Sequence, residues 1–308
     1  MMITRDDIES AVDRIAPHVR RTPILSVDAD TFGNHPPLVL KLESLQHAGS
    51  FKVRGAFNGL LSLEEKPPNV ATASGGNHGA AVAYAAMILG IPATIFVPEI
   101  ASPAKIKKIE KYGADVRVGG ARYADAAKAC ADFLAETGGV SIHAYDQETT
   151  ISGQGTLARE WDAEAPDLKR FSISVGGGGL IGGFAAWLGS DKSLIAAETD
   201  GTSKVAPALE AGEPVNIEVS GIAADSLGAR AIGGLSFGLL KTRDVTPVSV
   251  SDDLVKRAQR ALWDECRFIA EPGAATALAA VIDGQVGKRD DAPVGVLICG
   301  ANIALEDF

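Results

Sequence analysis

Short β-rich runs alternate with helical stretches along most of this chain, and this alternation restricts its fold more than any other feature. The β-rich runs are LVLKLE at 38–43, NVATAS at 69–74, ATIFVP at 93–98, DVRVGG at 115–120, FSISV at 171–175, LIAAE at 194–198 and VGVLIC at 294–299. Strands that alternate with helices favour βαβ units, in which parallel strands form a sheet covered by helices on both faces. The sequence therefore predicts an α/β fold.

The segment 70–146 has its own alternation of strands and helices, including the helical stretches AAVAYAAMIL and ADAAKACADFLAE. We therefore predict two domains, each a largely parallel, twisted sheet flanked by helices. The large domain consists of 1–69 plus 147–308, and the small domain is inserted into it at 70–146. A length of 308 residues is consistent with two domains.

The first 21 residues predict a helix rather than a signal peptide, because charged residues interrupt the place where a signal peptide needs an apolar run. Ile8, Val12 and Ile15 share one face of this helix, and Thr4 with Asp7 resembles a capping box at its start. The chain contains no run of 18 apolar residues, so no membrane span is expected.

The charge and the cysteines indicate where the protein acts and on what. A net charge of −10 argues against nucleic acid or an anionic membrane surface as a partner, because both select for clustered Lys and Arg. The three cysteines, Cys130, Cys266 and Cys299, are odd in number and far apart, which predicts free thiols. These features favour a cytoplasmic protein that acts on a small molecule.

Four consecutive glycines at 176–179 follow the apolar run FSISV and precede the helical stretch LIGGFAAWL. Backbone N–H groups at such a junction can approach phosphate oxygens closely, and the helix dipole adds partial positive charge. A tight, close-packed βα turn without a ligand is the less favoured alternative. Gly177, Gly179 and Gly182 also form a GxGxxG pattern with Glu198 nearly 20 residues later, which would indicate an NAD-dependent oxidoreductase.

Lys52 lies in the segment HAGSFKVRGAFNGLL, where Ser50 is a plausible N-cap. This position would place Lys52 in the first turn of a helix, where the helix N-terminus and nearby Arg54 disfavour a second positive charge. Both effects would lower the pKa of the lysine and leave a nucleophilic amine. The alternative is an ordinary surface lysine.

Four motifs in order give this chain a family resemblance over essentially its full length. They are GSFKVRGA at 49–56, SGGNHG at 74–79, GGGGL at 176–180 and CGAN at 299–302. The chain resembles the threonine and serine dehydratases and serine racemase, within the tryptophan-synthase-β-like class of pyridoxal-phosphate enzymes (fold type II). The resemblance implies that pyridoxal 5'-phosphate binds in the cleft between the two domains, and that the protein is a homodimer.

The resemblance also assigns roles to individual residues. It implies that Lys52 and Ser74 are catalytic, with Lys52 as the lysine that holds the cofactor as a Schiff base. It implies that the substrate carboxylate binds at Ser74, Gly75 and Asn77. The residues implied to contact the cofactor are Phe51, Lys52, Asn77, Gly176, Gly177, Gly178, Gly179, Leu180, Glu271, Cys299 and Asn302. His78 we expect to be structural, with its ring bonded to the backbone.

The implied reaction is β-elimination from L-threonine or L-serine, which gives 2-oxobutanoate or pyruvate and ammonia. Serine racemase and 3-hydroxyaspartate dehydratase activities remain alternatives within the same fold, and a non-catalytic amino-acid-binding module is an alternative outside it. Serine racemase needs a serine hydroxyl one residue after the position of Ser74, where this chain has Gly75. We therefore expect weak or absent racemase activity. Arg122 and Tyr123 are weak candidates for contacts to the substrate's β-substituent.

Related enzymes bind a divalent cation at positions that fall on Glu198, Thr202 and Lys204 of this chain. A lysine ammonium at the third position would repel such an ion, so we expect no metal there. We predict instead that the Lys204 ammonium reaches back to the Glu198 carboxylate. The alternative is that Lys204 points into solvent at the start of a helix.

Overall fold

The computed structural model describes residues 3–101, 103–282, 284, 286 and 291–304. Within these residues the chain forms two sheets with helices packed around them. The strands are β1 (Ile24–Val27), β2 (Leu38–Lys41), β3 (Val70–Ala73), β4 (Ala93–Val97), β5 (Asp115–Val118), β6 (Arg170–Ser174), β7 (Ser193–Thr199), β8 (Val245–Val250) and β9 (Val294–Leu297). The α-helices are α1 (Arg5–Ile15), α2 (Lys52–Leu61), α3 (Asn77–Leu89), α4 (Pro103–Glu110), α5 (Tyr123–Thr137), α6 (Glu148–Glu164), α7 (Gly179–Trp187), α8 (Val205–Ala211), α9 (Ala224–Leu227), α10 (Gly234–Leu240), α11 (Asp252–Cys266) and α12 (Pro272–Ile282).

The larger sheet has six strands in the order β1-β2-β9-β6-β7-β8. Its strands run parallel except for β1, which pairs with β2 in the antiparallel direction. Parallel neighbours require crossover connections, and the helices that supply them cover the apolar faces of the sheet. The predicted α/β class is therefore confirmed. The predicted strands are all present, whereas β1 and β8 were not among them.

The smaller sheet consists of β3, β4 and β5, all parallel. Its own apolar cluster packs against helix α3, and a separate, larger cluster surrounds the six-stranded sheet. All three of its strands fall inside the segment 70–146. The exact domain boundaries stay a prediction.

Helix α1 begins as the sequence predicts. Thr4 and Asp7 form the capping box, in which each side chain bonds to the backbone N–H of the other residue. Ile8 and Ile15 on its inner face are buried. Among the described residues, no helix is long and apolar enough to cross a membrane, and all three cysteines are free thiols.

Helix α2, which starts at Lys52, packs between α3 and α6. Its apolar residues Val53, Phe57 and Leu60 are buried in the cluster of the smaller sheet. Helix α2 therefore lies between the apolar clusters that surround the two sheets, and Lys52 lies in its first turn.

Candidate active site

Lys52 is the first residue of α2, so the predicted position in the first helical turn is correct. Its Nζ donates a hydrogen bond to the carbonyl oxygen of Ala144 at 2.7 Å and lies 5.2 Å from the centre of the Phe51 ring. Burial lowers the pKa of Lys52 to about 8, although the nearby Cys299 and Glu271 oppose this shift. About a tenth of this amine is therefore uncharged at pH 7.

Two details of the predicted surroundings of Lys52 are wrong. Ser50 is not the N-cap: Phe51 holds the cap position without a side-chain bond, and the Ser50 hydroxyl is buried without a partner among the described residues. The extended backbone of Ser50 instead pairs with Gly300 in an isolated antiparallel bridge. This pairing directs the residue toward the chain's last strand rather than along the helix.

Arg54 is the second correction, because its charge is neutralised by carboxylates. Its guanidinium donates to both oxygens of Glu43, at 2.7 and 3.1 Å, and to Glu160 at 2.9 Å. Both Arg54 and Glu43 are buried, and these carboxylates raise the pKa of the arginine. Burial rather than repulsion by Arg54 therefore accounts for the lowered pKa of Lys52. The ion pairs anchor α2 to α6 and to the segment after β2.

The glycine loop at 176–179 joins the end of β6 to the start of α7, as predicted. Gly178 has φ +92°, a conformation that strains any residue with a Cβ, and it caps α7. In the described part of the chain, the amide N–H groups of Gly176, Gly177 and Gly178 donate no hydrogen bond to the protein. Unbonded N–H groups at the start of a nine-residue helix are suited to accept an anion. Leu180, in the first turn, is buried.

The segment that holds Lys52 also covers this loop. Tyr145 follows Ala144, and its ring lies so close to Gly177 that a Cβ there would sit 2.2 Å from the ring. Ala144 and Tyr145 thus connect the lysine amine with the glycine loop. Sequence analysis missed both residues, because the segment HAYD carries no motif of its own and meets the site only through tertiary contacts.

The loop 74–76 lies between β3 and α3, and Asn77 is the first residue of that helix. The Ser74 hydroxyl accepts a hydrogen bond from the N–H of Gly76 at 3.3 Å. Asn77 does not cap the helix: its amide donates to the Glu271 carboxylate at 2.6 Å. The loop is therefore joined to the start of α12 by a side-chain hydrogen bond across the cleft.

His78 is buried, and its Nε2 is 2.8 Å from the carbonyl oxygen of Ile142, to which it donates. Burial lowers the pKa of His78 to about 3, so the ring is neutral. This arrangement confirms the predicted structural role.

Glu271 and Cys299 are both buried beside Lys52. Burial raises the pKa of Glu271 to about 7 and raises the pKa of the Cys299 thiol above its usual range. Gly300, the residue after Cys299, packs against Glu271, and a Cβ at Gly300 would come within 2.1 Å of a Glu271 oxygen. The Cys299 thiol is therefore uncharged at neutral pH, whereas the Glu271 carboxyl titrates near neutral pH.

Asn302 donates through its amide to the carbonyl oxygen of Ala48 at 2.9 Å and to the Asn77 side chain. The amide oxygen of Asn302 accepts a hydrogen bond from Lys108 of helix α4. Burial lowers the pKa of Lys108. Sequence analysis gave Lys108 only as part of a helix, since a lysine in AKIKKIEKY is indistinguishable from its solvated neighbours. By contrast, Arg122 and Tyr123 are both largely exposed.

The predicted contact between Lys204 and Glu198 is confirmed, and the alternative of a solvent-exposed Lys204 is wrong. The Lys204 Nζ lies 3.1 Å from Glu198 Oε1, and neither side chain is more than 1% exposed. The backbone N–H groups of Lys204 and Val205 also donate to the same carboxylate. The pair joins the end of β7 to the start of α8.

Comparison with known proteins agrees with this geometry. The family model described as "Pyridoxal-phosphate dependent enzyme" matches residues 15–300. The chain belongs to this family. Among curated members, it is 34% identical to a serine racemase of Arabidopsis thaliana, over 97% of this chain and 92% of that protein. It is also 34% identical to an L-threonine ammonia-lyase of Thermotoga maritima (98% and 76%), and 35% identical to a phenylserine dehydratase of Ralstonia pickettii (96% and 92%).

Solved structures of family members share the fold. The structure of maize serine racemase superposes with a TM-score of 0.93 at 30% identity, covering 100% of this chain and 96% of that one. This likeness confirms fold type II for the pyridoxal-phosphate dependent enzyme described here. It also replaces the NAD-dependent interpretation of the GxGxxG pattern.

The residues present fit pyridoxal phosphate. Unbonded N–H groups at 176–178 suit its phosphate, and an amine with a pKa of about 8 suits its aldehyde. Asn77 and the uncharged Cys299 lie around the same cleft and offer neutral polar groups to its ring. The individual assignments of residues to parts of the cofactor remain predictions from the family resemblance.

Proposed function

We propose that this protein is an ammonia-lyase that converts L-threonine, L-serine or both into 2-oxobutanoate or pyruvate and ammonia. The observation that carries the proposal is the Lys52 amine. Its pKa is about 8, and the chain from Ala144 to Tyr145 connects it to the glycine loop. An amine with this pKa can accept a proton at neutral pH.

Pyridoxal phosphate, when bound, withdraws electrons from the substrate's Cα and makes its proton acidic. Lys52 would accept that proton and the Cβ–O bond would break; transfer of the same proton from the Lys52 ammonium to the departing hydroxyl, directly or through solvent, would give water and restore the free amine. Hydrolysis then replaces the amino nitrogen of the dehydrated substrate with oxygen, which yields the 2-oxo acid and ammonia. We expect the substrate carboxylate to bind at the N–H groups at the start of α3, next to Ser74 and Gly75, because a helix N-terminus favours anions.

Two features favour elimination over racemisation. Cys299 is uncharged, because burial raises its pKa, so it cannot hold a ring nitrogen in the protonated state that would stabilise a long-lived Cα carbanion. Gly75 has no hydroxyl to return a proton from the face opposite Lys52. Electrons released at Cα therefore leave with the β-hydroxyl.

The proposal is tested by incubating the purified holoenzyme separately with L-threonine, L-serine and 3-hydroxyaspartate. Formation of 2-oxo acid is followed with phenylhydrazine, and the enantiomers of serine are resolved by chiral chromatography. The visible spectrum before and after borohydride reduction, with mapping of the reduced adduct, checks attachment at Lys52. We expect 2-oxo acid and an adduct on Lys52. Formation of D-serine faster than pyruvate would support a racemase instead, and absence of any product would contradict the proposal.

A further inference from the structure

Lys204 places a buried positive charge directly beneath the glycine loop. Its Nζ is surrounded by three oxygens: Glu198 Oε1 at 3.1 Å, the carbonyl oxygen of Val175 at 3.3 Å and the carbonyl oxygen of Leu227 at 3.4 Å. The side chain is fully buried. Removal of an ammonium from water is costly, so a cation in this place implies that its oxygen partners compensate for the loss.

The two carbonyl partners lie on either side of the first loop glycine. Val175 immediately precedes Gly176 in the chain. Leu227, at the end of α9, packs against Gly176 so closely that a Cβ there would be 3.3 Å from the Leu227 Cα. The ammonium therefore binds both segments that fix where the loop leaves the sheet.

The third partner connects this arrangement to the neighbouring strand. Glu198 lies in β7, whose residues 193–197 pair with β6. Its carboxylate also accepts N–H bonds from Lys204 and Val205 at the start of α8. The loop, β7, α8 and α9 are thus held together at one charged point. The other bonds of the loop, such as Gly233 N–H to the Gly177 carbonyl at 3.0 Å, lie further along it.

We infer that Lys204 is a positioning residue for the phosphate-binding loop: its buried ammonium binds the segments on which the loop rests and thereby holds the N–H groups of 176–178 in place. This inference rests on the proposed role of that loop as the phosphate site. We therefore expect Lys204 to strengthen binding of the cofactor's phosphate in addition to stabilising the fold, although Lys204 itself does not touch the phosphate.

The test compares two ligands that differ only in the phosphate. Apoenzyme is titrated with pyridoxal phosphate and with pyridoxal, and imine formation is followed by absorbance in the wild type and in Lys204→Met. We expect the variant to bind pyridoxal phosphate about 10-fold to 100-fold more weakly, the range seen when the outer partners that orient ligand-holding groups are removed. Binding of pyridoxal should change less than twofold.

Lys192 provides a matched control. Its side chain is also buried, and it bonds to Asp162 and to the carbonyl oxygen of Pro166, near the amino end of β7 and away from the loop. Lys192→Met should lower thermal stability and leave both ligand affinities unchanged. If Lys192→Met weakens binding of pyridoxal phosphate as much as Lys204→Met does, the weaker binding reflects a general loss of stability and the inference is wrong.

Lys204→Met leaves Glu198 buried without its cation, which could prevent folding. The double variant Glu198→Gln, Lys204→Met removes both charges and keeps the experiment possible. In a Lys204→Ala variant, methylammonium ions should restore part of the affinity for pyridoxal phosphate, since the oxygen partners remain. Unchanged preference for pyridoxal phosphate over pyridoxal in these variants would overturn the inference. Absence of that preference in the wild type would overturn the phosphate-site proposal as well.

Discussion

The lowered pKa of Lys52 can be measured directly in the apoenzyme. A lysine with a pKa of about 8 is about 9% uncharged at pH 7, whereas one with the ordinary value of 10.4 is about 0.04% uncharged, a difference of about 200-fold. Limited acetylation with acetic anhydride between pH 6 and 11, followed by mass spectrometry of peptides, gives the midpoint for each lysine. We expect the midpoint of Lys52 near 8.

The same samples contain an internal reference. Lys128 is exposed, and the hydrogen bond that its ammonium donates to Asp132 raises its pKa, so its midpoint should lie above the ordinary lysine value. Replacing Glu271 by Gln removes a negative charge that raises the pKa of Lys52, so the Lys52 midpoint should fall further. A Lys52 midpoint near that of Lys128, or one that rises in Glu271→Gln, would refute the argument that burial sets the state of this amine.

Four further outcomes are expected. Lys52→Ala should fold, by circular dichroism, yet lose more than the roughly 10²- to 10⁴-fold in turnover typical of a missing general base; turnover within tenfold of the wild type would remove it from the mechanism. Wild-type enzyme should form little D-serine, and Gly75→Ser should raise the ratio of D-serine to pyruvate; an unchanged ratio would show that this position does not limit racemisation. Arg54→Met leaves Glu43 fully buried without its partner, so urea denaturation should show a loss of about 3–5 kcal/mol, while a loss below about 1 kcal/mol would mean that the pair is not essential. Because Lys204 already supplies a cation, turnover should be indifferent to chelator and to added magnesium; a loss restored by magnesium would contradict this.

In the six-stranded sheet, the strands that the sequence predicted are the mostly buried ones, and burial explains the two that it missed. The predicted strands β6 and β9 are buried along almost their whole length. In contrast, β1 and β8 are the two edges of the six-stranded sheet and are exposed at alternate positions. Pro247 further disguises β8, because proline is tolerated only at such an edge. Edge strands of this kind are difficult to distinguish from loops by composition.

For the candidate site as well, local sequence patterns could be recognised, whereas contacts between distant segments could not. Motifs that lie on one loop, such as 176–179, could be found because a local pattern carries the chemistry. Tyr145 and Lys108 reach the cleft only through contacts between distant segments, and the charge on Arg54 is neutralised by Glu43 and Glu160. The cause of the low pKa of Lys52 was therefore misassigned, although its direction was correct.

The central place of β9 has a consequence for synthesis of the protein. This strand pairs with β2, which lies far earlier in the chain, on one side and with β6 on the other. Translation proceeds at about 5–20 residues per second, so β2 lacks its neighbour β9 during the synthesis of all the residues between Lys41 and Val294. Until then the nascent chain exposes two unpaired apolar strand edges, which are templates for aggregation. We expect the ribosome-bound chain to depend on chaperones, and truncation before Val294 to leave the six-stranded sheet in two separate pieces.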